Sequence, residues 1–234
     1  MANYPRYAIY YAPEAGSGLD RFGAELLGYD ARLGIEVPFP QDAALPPDWF
    51  DMTKDPRKYG FHATLKAPMA LAPDCDENML MAGCEAFAAE PRAIPVFRPV
   101  IDEIEGFVAI VPAAGCPDLQ QLAADCVRRF DGFRAPLTEQ DRARRNPSKL
   151  TPRQRDYLDG WGYPYVFEEF RFHMTLTGRL DAERRPAIRD TLRNRFRGIG
   201  ANELAIDRIA LFREDAVDRR FQIIGGWPLR PASP

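Results

Sequence analysis

The chain holds two histidines, and both stand in the same tetrapeptide, His-x-Thr-Leu. His62 lies in GFHATLKAP (60–68) and His173 in FRFHMTLTG (170–178). With 7 threonines in 234 residues, two histidines each meeting a threonine two places on is roughly a one-in-a-thousand coincidence, and the shared leucine lowers that about a hundredfold. The repeat therefore constrains the fold: two segments 111 residues apart are to be built alike.

Both segments read as strands. On a strand, residues i and i+2 share a face. His62, Thr64 and Lys66 then face one way, and Phe61, Ala63, Leu65 and Ala67 the other. In the second segment Arg171, His173, Thr175 and Thr177 oppose Phe170, Phe172, Met174 and Leu176. Each strand thus has an apolar side for a core and a side of titratable and hydroxyl groups.

The surrounding elements repeat as well. RYAIYYAP (6–13) is a strand closed by Pro13. Leu19, Phe22, Leu26, Leu27 and Leu33 predict a helix over 18–33, ending near Gly34. Residues 37–58 read as a loop. Residues 74–89 predict a helix with an acidic first turn, and 96–112 a hairpin turning at Glu105-Gly106. Pro117 opens a further helix. Residues 181–196 predict a helix capped by Asp181, and 203–215 with 219–229 a closing hairpin. Each histidine strand is followed by a helix and then a hairpin. The expected fold is α+β, a single bilobal domain over 1–234: a duplicated arrangement of two antiparallel sheets with flanking helices about a pseudo-twofold cleft. A charged insertion at about 138–165 interrupts the second half.

Two imidazoles and two hydroxyls converging on one cleft suit phosphoester cleavage. Histidine titrates near neutrality, so one neutral ring can take a proton while the other, protonated, donates one to the leaving oxygen. Thr64 and Thr175 can donate to non-bridging phosphate oxygens. Strand phase adds Lys66 and Arg171 as positive charges, and Tyr7 or Tyr10 borders the cleft according to parity. Arg144, Arg145 and Lys149, in the basic run of the insertion, either form a solvated face or belong to a flap that meets the substrate. This chemistry calls on no metal and no cofactor. Four scattered cysteines (Cys75, Cys84, Cys116, Cys126) and two histidines supply no zinc-ligand pattern, and the cysteines are expected to be reduced thiols.

Composition narrows the partners. A net charge of −3 and a pI of about 5.6 give no global basic field, which argues against a long nucleic acid as partner. No apolar run has the length of a membrane span, and the N-terminus lacks the pattern of a signal peptide. The expectation is a cytoplasmic protein without membrane contact, acting on a small phosphorylated substrate. The oligomeric state is left open.

Paired His-x-Thr motifs, one in each half of a duplicated fold, resemble the two-histidine (2H) phosphoesterase superfamily, which includes the LigT-like RNA 2',3'-cyclic phosphodiesterases. The resemblance covers nearly the whole chain and implies catalytic roles for His62, Thr64, His173 and Thr175. Lys66 and Arg171 rest on strand phase alone. QRDYLDGWGYPYVFEEFRFHMTLTGRL is similar, more narrowly, to a bacterial branch associated with phosphonate metabolism. That likeness implies a small ribosyl or nucleotide-like cyclic phosphate or phosphodiester as substrate. Two alternatives stand beside it: an RNA-end enzyme (2',3'-cyclic phosphodiesterase or 2'–5' ligase), and a non-catalytic nucleotide or phosphate-binding module.

Overall fold

The structure, a computed structural model, describes residues 4–41, 44–217 and 219–232. In chain order the strands are β1 (Arg6–Tyr11), β2 (Tyr29–Asp30), β3 (Ile35–Glu36), β4 (Ala63–Ala70), β5 (Val96–Phe97), β6 (Pro99–Ile104), β7 (Phe107–Pro112), β8 (Met174–Thr175), β9 (Leu204–Ala205), β10 (Arg208–Glu214) and β11 (Gln222–Pro228). The helices are α1 (Gly18–Leu27), α2 (Trp49–Met52), α3 (Lys54–Arg57), α4 (Glu77–Ala89), α5 (Pro117–Phe130), α6 (Glu139–Arg144), α7 (Pro152–Trp161) and α8 (Arg185–Arg197). The fold is α+β.

Seven strands make one antiparallel sheet in the order β11-β10-β1-β4-β8-β7-β6. This differs from the two sheets expected. The halves β11-β10-β1-β4 and β8-β7-β6 meet at one paired position, Ala63 opposite Met174. β8 is only two residues long, so the halves join at a narrow point and part beyond it.

The connections cross between halves. The hairpin β6–β7, which follows the first histidine strand in sequence, pairs through β7 with β8. The hairpin β10–β11, which follows the second, pairs through β10 with β1, beside β4. The helices that precede these hairpins do the reverse: α4 packs on β10 and β11, and α8 on β6 and β7. Each half is thus completed by a hairpin from the other repeat, which ties both histidine strands into the centre of one sheet.

Alternation along the strands sets the layers. Ile9, Ala63, Leu65, Met174, Ile209 and Leu211 join the apolar sides of α1, α4, α5 and α8 in one core. Residues of opposite parity on β1 and β10, Ala8, Tyr10, Ala210 and Phe212, form a small second cluster with Tyr29, Ala31 and Phe221. His62 borders that second cluster, stacking on Tyr10.

Local signals explain most element ends. Ser17 accepts the Asp20 N–H at the start of α1, and Asp76 accepts the Met79 N–H at the start of α4. α1 stops at Gly28, which is left-handed at φ 67°, six residues before the expected Gly34. Leu33, which suggested a longer helix, is exposed in the turn between β2 and β3. α8 starts at Arg185 rather than at Asp181, whose carbonyl instead accepts the N–H groups of Arg184 and Arg185. The segment expected to be all loop, 37–58, contains α2 and α3.

Candidate active site

Extending the Ala63–Met174 register by one residue each way sets Thr64 across from His173 and His62 across from Thr175. The two histidines are then diagonal neighbours on one face. Alternation does the rest: Ala63 and Met174 are buried, while His62, Thr64, His173 and Thr175 are half-buried.

Both rings are held the same way. His62 Nδ1 donates to the Gly60 carbonyl at 2.9 Å, and His173 Nδ1 donates to the Arg171 carbonyl at 2.8 Å. A carbonyl oxygen only accepts, so Nδ1 carries the hydrogen in both rings and Nε2 is the free position. The Thr64 hydroxyl lies 3.4 Å from His62 Nε2. Gly60 is left-handed at φ 72°, and a Cβ there would stand 2.6 Å from the Ala31 Cβ, so this turn needs glycine to aim its carbonyl. Phe61 anchors the next position. Its ring packs so closely on α1 that a Cβ at Gly23 would overlap it at 1.9 Å.

The two imidazoles differ in surroundings. His62 lies flat on Tyr10, ring centroids 3.9 Å apart, with Tyr59 and Phe212 each at 6.0 Å. Burial pushes His62 down to about 4; the Gly60 hydrogen bond opposes the shift, and charge on His173 adds to it. Burial also lowers His173, opposed by its bond to the Arg171 carbonyl and by the Glu105 carboxylate. Glu105 sits in the β6–β7 turn at φ 49°, followed by Gly106 at φ 94°, a pair of positive φ angles that a two-residue hairpin favours.

A cavity of about 170 Å³ opens where β4 and the chain before β8 diverge. Thr64, His173, Arg171, Glu105, Tyr163 and Tyr165 are among its lining residues. Arg171 is exposed at its edge. Tyr163 and Tyr165 meet edge to face, whereas Trp161 is not in the lining and packs behind it on Phe167 at 5.0 Å.

Four residues named for the cleft sit elsewhere. Lys66 is 3% exposed and bonds Asp131 at 2.6 Å, at the end of α5. The cause is a β-bulge: Tyr10 pairs with Thr64, but Ile9 pairs with Lys66, with register shifts on either side. The bulge places Lys66 on the core side with Ile9, against the simple alternation. Tyr10 has the parity of Thr64 but is 1% exposed. It forms a floor beneath His62 and offers no surface to a ligand. Tyr7, of opposite parity, bonds Glu77. Lys149 is exposed and lines neither of the cavities flanking the histidines.

The insertion folds as α6, a short 3-10 turn over Pro147–Lys149, and α7, which carries a capping box at Thr151–Gln154. Arg142 is spent on Asp159 at 2.7 Å, and Arg155 on the Leu150 carbonyl. Arg144 and Arg145 instead line a second cavity, of about 300 Å³, with Arg6, Tyr59 and Arg134. Strand reasoning missed Tyr59, which stands in the turn just before the first motif, and Arg6, which reaches the cavity from β1, because neither lies on the strand face that alternation describes.

A family profile described as "Protein of unknown function (DUF1045)" matches residues 64–222, more than half of the chain. The chain belongs to the DUF1045 family. The matched span takes in Thr64, His173, Thr175 and three of the four arginines of the second cavity, Arg134, Arg144 and Arg145; His62 lies two residues before it. Two curated relatives are similar over nearly all of the chain. One is the ribose 1,5-bisphosphate phosphokinase PhnN of Janthinobacterium sp. (strain Marseille), 36% identical over 215 residues, covering 90% of this chain and 48% of that protein. The other is the protein of the same name from Laribacter hongkongensis (strain HLHK9), 32% identical over 224 residues, covering 93% and 50%. This DUF1045 chain spans about half the length of the curated relatives it matches. None of its four lysines follows a glycine, so the sequence contains no G-x-x-x-x-G-K-[ST] phosphate loop. Among the described residues, no helix is long and apolar enough to cross a membrane.

Proposed function

We propose that this chain is a two-histidine phosphoesterase that cleaves a cyclic phosphate or phosphodiester of a small ribosyl or nucleotide-like substrate. The observation that carries this reading is the matched pair of imidazoles across β4 and β8. Each is held through Nδ1 by the carbonyl two residues before it, which leaves Nε2 as the unprotonated nitrogen, in His62 3.4 Å from the Thr64 hydroxyl.

In this mechanism His62 is the base. Its depressed pKa keeps it neutral at pH 7 with an open Nε2 lone pair. It takes the proton of the attacking water. His173 is the acid: the anionic substrate and Glu105 favour its charged form, and its Nε2–H passes to the leaving ester oxygen. Thr64 and Thr175 donate to the non-bridging oxygens as charge develops there. Arg171, at the cavity edge, faces the same anion. Both proton transfers are supplied by the two rings, so the reaction as proposed is metal-independent. The small cavity favours a sugar phosphate over a nucleic-acid strand. The relatives' name, a ribose bisphosphate phosphokinase, supports a phosphorylated ribose as the substrate class, and with it a place in phosphonate metabolism.

The test is turnover of ribosyl and nucleoside cyclic phosphates in the presence of EDTA. Hydrolysis that survives chelation and is lost in His62→Ala and His173→Ala is the expected result. Activity restored only by a divalent ion would overturn the metal-independent mechanism.

A further inference from the structure

Beside the histidine cavity lies the second cavity, of about 300 Å³, which strand arguments do not reach. Four arginines line it: Arg6, Arg134, Arg144 and Arg145. Their charges are not equally available. Arg6 pairs with Glu214 at 2.5 Å, Arg134 with Asp131 at 2.9 Å, and Arg144 more loosely with Asp141 at 3.5 Å. Arg145 is half-buried, and no carboxylate among the described residues pairs with it. Its guanidinium rests over the Tyr163 ring at 5.0 Å.

The two cavities are neighbours, and His173 lines the first while His62 lines neither. Tyr59 lines the arginine cavity and lies 6.0 Å from the His62 ring. Tyr163 lines the histidine cavity, while the arginine stacked on it and Gly162 before it line the other. Burial raises the hydroxyl of Tyr10, the ring beneath His62, and the charges of Arg6 and Arg145 both oppose that shift, so both charges act within reach of the site.

Resting on the phosphoesterase reading, we infer that the arginine cavity is a second anion site, in which Arg145, with Arg144 and Arg6, holds a terminal phosphomonoester of the substrate while the ester to be cleaved lies between the histidines. Arginine forks match the oxygens of a phosphoryl group in pairs, and an unpaired, half-buried guanidinium stacked on tyrosine is already fixed for that purpose. Tyr163 on one side and the Arg145 stacked on it on the other form a shared boundary of the two cavities, so one small substrate can present a phosphoryl group to each. The substrate class is therefore a doubly phosphorylated sugar, and the partner reaction must deliver a pentose already carrying a phosphomonoester.

The experiment is calorimetric titration of the chain with D-ribose 5-phosphate and with D-ribose, alongside turnover of adenosine 2',3'-cyclic phosphate with and without a 5'-phosphate. We expect ribose 5-phosphate to bind and ribose not to bind. Arg145→Met should weaken binding about tenfold or more, Arg145→Lys and Arg144→Ala by less, with thermal unfolding checking the fold of each. Where the cyclic phosphates turn over, the preference for the 5'-phosphorylated one should collapse toward unity in Arg145→Met. Absent binding, wild-type affinity in both Arg145→Met and Arg144→Ala, or an equal loss in His173→Ala would overturn the second site. The last result would put the phosphate in the histidine cleft. Failure of the phosphoesterase reading shows separately, as histidine variants that keep their turnover.

Discussion

The phenol ring of Tyr10 lies against the imidazole of His62, centroids 3.9 Å apart and planes inclined by 22°. Tyr10 is buried on β1, paired with Thr64, so one side chain sets both the tilt of His62 and the dryness beneath it. Tyr10→Leu should lower kcat about tenfold or more with a small change in KM, because a misplaced base loses the reactive geometry before it loses substrate. Tyr10→Phe keeps the stack and should keep most of the turnover. Steady-state kinetics on both variants checks this, and equal losses in the two would point to the hydroxyl instead.

Loss of either imidazole should be severe. His62→Ala and His173→Ala are each expected to lower kcat about a hundredfold or more, the usual scale for one general acid or base. The double variant should lose far less than the product of the two, since the rings act as a unit. The kcat/KM profile should be bell-shaped and report two macroscopic values for the pair. A variant with near wild-type turnover on the true substrate would refute the acid–base pair.

Acid should destabilise the chain partly through His62. Folded, the ring titrates near 4; unfolded, near 6.5. Below about pH 6.5 the unfolded chain binds the extra proton, so this contribution is complete above that pH and is lost as pH falls toward 4. Its size is up to about 3 kcal/mol. Urea unfolding at stepped pH should show His62→Asn losing less stability than the parent chain between pH 6.5 and 4. Parallel curves would mean that His62 titrates normally.

Lys66 should matter for stability and not for substrate. It is buried against Asp131, which also holds Arg134. Lys66→Ala should cost about 3 kcal/mol, the low end for breaking a buried pair, because Asp131 keeps a partner. KM should stay within about twofold. A large rise in KM without loss of stability would return Lys66 to the substrate cleft.

Much of the site can be read along the chain. The i, i+2 alternation alone puts His62 with Thr64 and His173 with Thr175, and it is a local property of any strand. Glu105-Gly106 marks the hairpin turn, and Pro117 the start of α5, because backbone dihedrals are set by the residues that occupy them. Helices α1, α4, α5 and α8 are legible too, although α1 ends six residues before its expected end, whereas α7, as long as α1, lies in what reads only as a charged insertion.

What alternation could not carry was anything decided by a partner segment. The bulge that turns Lys66 into the core arises from its pairing with β1, and Lys66 itself looks like any other lysine in phase. Arg142 and Arg145 stand three residues apart in the same basic run; Asp159 takes the first and leaves the second free beside Tyr163. The duplication announced two equivalent strands, but the exchange of hairpins between halves and the single Ala63–Met174 pairing belong to the tertiary structure. Strand pairing joins residues by hydrogen bonds across long sequence separations, and such bonds are backbone to backbone, so side-chain pattern identifies the strands without saying which will lie side by side.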